Sequence, residues 1–239
     1  MKSQTKRIGY IAIYYFIAVA FRYYILKVRP NFFTNADVFI QILLEGIGPL
    51  LGGLLMIKVF KRKNDLSLFP IGFWTSIILV AIPILLFTLV GIINTGTPYY
   101  SLGPKIVGGA IIYGLFEEYG WRAYLQTELK DLKKIYKYLI ISVLWYAWHL
   151  EFGFTLNHLM SYGFILAGTI GIGKVADVSK SLILVALFHA FFNLFYISKE
   201  LEGVTNFQTI GILSISILSI IGVMVWNGRK KRLALENQL

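Results

Sequence analysis

The stretch Phe116-Glu117-Glu118-Tyr119-Gly120-Trp121-Arg122 places two carboxylates and a guanidinium inside an otherwise apolar run. An ionised side chain costs roughly 2.5–3.5 kcal/mol to insert at the centre of a membrane helix, so charge in such a run marks a site with a partner elsewhere. Two further patterns supply partners, Trp145-x-x-x-His149 and His189-x-x-x-Asn193. Residues four apart share a helix face, so each pattern lines one stripe with an aromatic or polar pair. Glu118 and Arg122 have the same spacing, acid before base, and are expected to neutralise each other. Glu117, rotated from Glu118 by about 100°, is then expected to face the interior and the two imidazoles. A Glu beside a His can take a proton from water and return it to a leaving group. A His and an Asn one turn apart can donate to an oxygen that gains negative charge. Together these groups fit water-mediated cleavage of an amide.

Holding such groups in one place requires a scaffold that tolerates lipid. With 57% hydrophobic and 15% charged residues, the chain is no ordinary water-soluble domain but an all-α, polytopic membrane protein. A net charge of +11 in a soluble protein would suggest nucleic acid. Here the cations sit in short clusters between apolar runs, the pattern of the positive-inside rule and of anionic headgroups, so membrane lipid and no nucleic acid is expected as a partner. The absence of cysteine excludes disulfides, thiolate metal sites and a cysteine nucleophile.

Apolar runs near the length of about 20 residues that crosses a bilayer predict a bundle of about eight transmembrane helices. Their expected limits are 8–26, 38–60, 71–93, 106–126, 136–155, 158–174, 181–198 and 207–226. The fifth and sixth are the weakest, being separated by a polar patch at 151–158, and the sixth is short and Gly-rich. The Ala18-Val19-Ala20 run resembles a signal-peptide cleavage site, but apolar character continues to Leu26, which favours a retained first helix. Sorting the 23 Lys and Arg among the loops sets both termini in the cytoplasm. Clusters such as Lys58, Lys61, Arg62 and Lys63 then face inward, and only Lys27, Arg29, Lys105 and Lys199 face outward. With a rise of about 1.5 Å per residue, Glu117, His149 and His189 fall about 14–18 Å from the cytoplasmic helix ends, in one layer. The chain reads as one polytopic domain, 1–239, with a catalytic motif core at 106–195.

Prolines 30, 70 and 98 lie near segment ends, whereas Pro49 and Pro83 lie inside spans and are expected to kink them. Glu45 to Pro49 is expected to be a broken or closely packed turn, with Glu45 as a structural partner for it. Arg22 is expected to snorkel at the outer end of the first helix, and His158, with Glu151 and Asn157, to sit in an outer loop. Tyr99, Tyr100 and Trp226 fit an aromatic belt.

Taken in order, Glu117-Glu118-x-x-x-Arg122, the aromatic-x-x-x-His149 and His189-x-x-x-Asn193 resemble the intramembrane family of CAAX prenyl proteases and bacteriocin-processing enzymes, the Abi or CPBP family. Gly48-Pro49-Leu50 is similar to a sequence often found there, so the resemblance spans roughly 38–195. It implies an intramembrane endopeptidase in which Glu117 and His149 activate water, His189 and Asn193 stabilise the oxyanion, and Glu118, Arg122 and Trp145 support them. No cofactor is favoured. Zinc held by Glu117, His149 and His189 is the alternative, weakened by the absence of a His-Glu-x-x-His helix. The substrate would be a membrane-associated peptide or protein reaching the site from the membrane or cytoplasmic side, and the setting a bacterial plasma membrane. Two other classes compete: a non-catalytic bacteriocin-immunity or scaffold protein, and a proton-coupled transporter, which the absence of an internal repeat disfavours.

Overall fold

A computed structural model of the chain describes residues 2–95, 103–196 and 204–236. Helix α1 (Lys2–Tyr23) runs on through a wide turn at Tyr24–Val28, and α2 (Asn31–Thr34) is a single turn. Helix α3 (Val38–Leu54) ends in a wide turn at Leu55–Val59, and α4 spans Phe73–Thr95. Helix α5 (Gly108–Glu118) lies between wide-turn segments at Gly103–Val107 and Tyr119–Gln126. Then come α6 (Lys134–Trp148), α7 (Leu156–Ser179), α8 (Leu182–Tyr196) and α9 (Asn206–Glu236). Among the described residues there is no strand, only an isolated bridge between Ser67 and Ser181. Pro98, Tyr99, Tyr100 and Lys199 lie outside the described residues.

Among the described residues, five helices are long and apolar enough to cross a bilayer: Thr5–Val28, Phe39–Val59, Phe73–Asn94, Leu156–Ser179 and Asn206–Trp226. The protein is thus all-helical and integral to a membrane. Two weak runs change places relative to the sequence reading. The sixth is a full 24-residue helix, whereas the fifth ends at Trp148 after 15 residues instead of reaching 155. His149 closes α6, and Leu150, at φ 58°, turns the chain out of the helix. Helices α6 and α8, 15 residues each, reach about 22 Å, short of the ~30 Å hydrocarbon core. The α5 segment loses its apolar window to Glu117, Glu118 and Arg122.

Burial is greatest along the segments nearest the motif residues. The long spans present apolar side chains outward, as with Phe16 (72% exposed), Trp74 (75%) and Ile93 (78%), as lipid requires. By contrast, Gly120 to Gln126 and Ser181 to Leu187 are buried without a break. Helix α3 packs on α1 and α5, α5 packs on α8, and α7 packs on both α6 and α8.

Small residues set how closely these helices approach. A Cβ on Gly48 would lie 2.7 Å from the Ala18 carbonyl oxygen of α1, and one on Gly46 would lie 2.9 Å from the Tyr113 ring of α5. Helix α3 continues unbroken through Pro49, so the Glu45 to Pro49 run is a close packing face, not a break. At Gly114 a Cβ would meet the Ala186 carbonyl oxygen at 2.8 Å. That contact brings α8 against α5 one turn before Glu118 and His189. At one end of the bundle Asp177 of α7 accepts from Lys137 Nζ (2.9 Å), Tyr138 Oη (2.9 Å) and Gln126 Nε2 (2.8 Å). This ties α6 and the segment after α5 to α7.

Candidate active site

The site forms where the wide turn after Glu118 meets α6 and α8. Wide helical turns inside a helix occur frequently at functional sites. Glu117 and Glu118 are buried, at 1% and 0% exposure. Trp145 donates its indole N–H to Glu117 Oε2 at 2.9 Å, and its ring lies 5.4 Å from that of His189 and 6.1 Å from that of His149. Tyr113 lies one turn before Glu117, and its ring meets His189 edge-on at 5.9 Å. Trp145 is therefore the hub that gathers Glu117, His149 and His189.

Glu118 has two partners. Arg122 Nε lies 3.1 Å from Oε2, the expected pair, and His189 Nδ1 donates to Oε1 at 2.6 Å. The expectation that Glu118 is consumed by Arg122 while Glu117 alone meets both histidines is corrected on this point. The close approach at Gly114 turns the inward face of α8 toward Glu118. Arg122 is fully buried, with its Cζ 5.3 Å from the Trp145 ring. Its Nη atoms have no hydrogen-bond partner among the described residues, so the ring face and the Glu118 charge are what balance the cation.

His149 is fixed in one tautomer. Its Nδ1 lies 2.8 Å from the Trp145 carbonyl oxygen, which can only accept, so Nδ1 carries the proton. A neutral ring then presents Nε2 as a bare acceptor. Asn193 lies one turn beyond His189 on α8, half-buried, and bonds to no described residue. His158 pairs with Thr155 Oγ1 at 2.7 Å and takes no part in the site.

Arg22 is the residue most misjudged from sequence. It does not snorkel: it is buried at 8% exposure, pairs with Glu45 Oε2 at 2.9 Å, and stacks 4.4 Å from the centroid of Trp148, the neighbour of His149. Glu45 is accordingly an ion-pair partner for α1 and not a prop for a helix break. The missed signal is depth, since Arg22 and Glu45 each lie six or seven residues from the loop that joins Val28 to Val38.

The zinc alternative would need Glu117, His149 and His189 to converge on one point. Among the described residues no three His, Asp or Glu side chains converge as a metal-ligand set. Glu117 Oε2 accepts from the indole of Trp145, and His149 and His189 each direct Nδ1 at an oxygen, which leaves both Nε2 atoms outside those hydrogen bonds.

Residues 100–195 match the family model described as type II CAAX prenyl endopeptidase Rce1-like. That stretch contains all seven motif residues read from the sequence, while α1 to α4 lie outside it. The resemblance to CAAX-type intramembrane proteases holds over it. A comparison with curated proteins gives no match.

Proposed function

We propose that this protein is an intramembrane endopeptidase that hydrolyses a peptide bond of a membrane-associated peptide or protein without a metal. The observation that carries the reading is the Trp145-centred cluster, which gathers Glu117, His149 and His189 from three helices. The family match over the same helices supports protease activity.

In the proposed reaction, water is held between the Glu117 carboxylate and His149 Nε2. Glu117 takes a proton as the water oxygen attacks the scissile carbonyl. Two buried carboxylates, Glu117 and Glu118, face one buried guanidinium, Arg122, so a proton on His189 balances the cluster. His189 Nε2–H and the Asn193 amide then donate to the oxyanion. Collapse of the tetrahedral intermediate breaks the C–N bond, and Glu117 returns its proton to the leaving amine. Glu118 and Arg122 orient His189 and hold the charge balance. Trp145 orients Glu117.

The same reading places all 239 residues in one polytopic domain of eight crossings, with both termini in the cytoplasm of a bacterium. Substrate enters from the membrane or the cytoplasmic side. The test uses full-length protein in liposomes with a quenched fluorescent peptide carrying a farnesylated cysteine three residues from its C-terminus. Expected is cleavage that Glu117→Gln and His149→Ala each abolish, with wild-type rates surviving chelator treatment. Wild-type rates in Glu117→Gln would overturn the proposal. If that probe is not cut, Glu117→Ala expressed in cells should accumulate an uncut partner identifiable by mass spectrometry.

A further inference from the structure

At the end of the bundle where α1 begins and α3 finishes, a cavity of about 780 Å³ is lined by Lys6, Arg7, Lys61, Arg62, Lys63 and Lys130. Only two carboxylates, Glu128 and Asp131, share its wall. Glu128 is already engaged: Arg62 grips it through Nη2 at 2.5 Å and Nε at 3.1 Å, and Arg7 donates to its backbone carbonyl. Arg62 is further fixed by the Tyr10 ring, 4.8 Å from its Cζ. Lys130 pairs with Asp65 at 3.0 Å, and among the described residues Asp131 pairs only with Arg7, at 3.6 Å. Lys6, Lys61 and Lys63 have no acidic partner among the described residues.

Like charges gathered from three chain segments repel unless an anion joins them. The chain turns to bring them together: the Arg62 N–H returns to the Met56 carbonyl, and Lys61 adopts φ 53°, a left-handed helix end. The cavity also lies at a defined depth, because the apolar spans Thr5–Val28 and Phe39–Val59 start and stop beside it. That is the level of lipid headgroups, where each cation strengthens attraction to anionic lipid.

We propose that this cavity is a binding site for a phosphate ester, the headgroup of an anionic phospholipid, with Lys6, Lys61 and Lys63 contacting the phosphate. The Arg7–Glu128–Arg62 cluster holds the shape of the site. The ligand would tie α1 and the turn after α3 to residues 128–131, which continue the segment that carries Arg122.

The test incubates purified full-length protein with dioleoylphosphatidylglycerol, with dioleoylphosphatidylcholine or with glycerol 3-phosphate, and reads retained ligand by native mass spectrometry and the unfolding midpoint. Wild type should retain the anionic lipid at least roughly tenfold over the zwitterionic one, and high salt should abolish that preference. Lys6→Gln/Lys61→Gln/Lys63→Gln should lose the preference, while the charge-matched control Lys133→Gln/Lys134→Gln/Lys27→Gln should keep it. Equal retention by the two triple variants, or no salt effect on wild type, overturns the site. If glycerol 3-phosphate alone raises the midpoint as much as the lipid does, the lipid assignment falls and a soluble phosphate ester takes its place.

Discussion

Replacing Trp145 with Phe removes one atom that matters, the indole N–H donated to Glu117 Oε2 at 2.9 Å. The six-membered ring remains to cover Arg122 and to meet His189, whose contacts with Trp145 are at 5.3 and 5.4 Å. A hydrogen bond to a charged group contributes about 1.5–3 kcal/mol, and Glu117 is only 1% exposed, so water does not replace the donor. Without the donor the carboxylate is free to turn from the attacking water, and because a misplacement of about 1 Å can cost roughly 100-fold, kcat should fall by roughly 10- to 100-fold. KM should change little, because the indole acts on the base and not on the substrate. A stability cycle separates this from loss of packing. In the Glu117→Ala background, Trp145→Phe should cost about 1.5–3 kcal/mol less than in wild type. Costs that add to within about 0.5 kcal/mol, together with wild-type kcat in the single variant, would refute the claim that Trp145 positions the base.

Three further substitutions test the scaffold. Arg22→Met leaves Glu45 unpaired, and breaking a buried pair costs about 3–5 kcal/mol. With the Glu45 side chain 29% exposed, about 2 kcal/mol is expected in thermal or denaturant unfolding, most of it recovered in Arg22→Met/Glu45→Met. Gly114→Val forces α8 away from α5 at the 2.8 Å approach to Ala186, so it should cost about 1–3 kcal/mol and abolish cleavage by separating His189 from Glu118. Gly9→Ala, with open space around its Cβ, should do neither. Asp177→Asn removes the charge that Lys137 pairs with and turns an amide donor toward at least one of the three existing donors, so it should lower the unfolding midpoint by the equivalent of about 1–3 kcal/mol. Its activity per folded molecule should be unchanged.

What could be read in the sequence follows from what helical periodicity determines. The Glu118–Arg122 pair lies within one helix, where spacing alone sets contact, and it forms at 3.1 Å. Which of two adjacent carboxylates meets His189 is a different kind of question. Glu117 and Glu118 point about 100° apart, and the choice depends on how α8 is rotated against α5. That rotation is set by a backbone contact, Gly114 on Ala186, which has no polar signature. Arg22 and Glu45 fail to stand out for a related reason. Each looks like a lone charge near a helix end, and only the antiparallel packing of α1 on α3 makes them a pair.

Hydropathy counted helices by assuming that every apolar run meets lipid. Helices α5, α6 and α8 do not satisfy the length and composition that lipid demands, and they are the ones that carry Glu117, Trp145 with His149, and His189. A helix face packed against other helices can hold ionised groups, because neighbouring protein and not hydrocarbon solvates them. Burial likewise lets Glu117 accept from an indole and Glu118 from an imidazole without competition from water. The departures from the hydropathy pattern and the candidate site therefore have one cause: the long helices α1, α3, α4, α7 and α9 shield a polar layer that would not survive facing lipid. Exposing that layer, as Gly114→Val should by parting α5 from α8, is expected to cost both stability and catalysis, whereas a lipid-facing change such as Phe16→Leu, at a side chain on a residue 72% exposed, should cost neither.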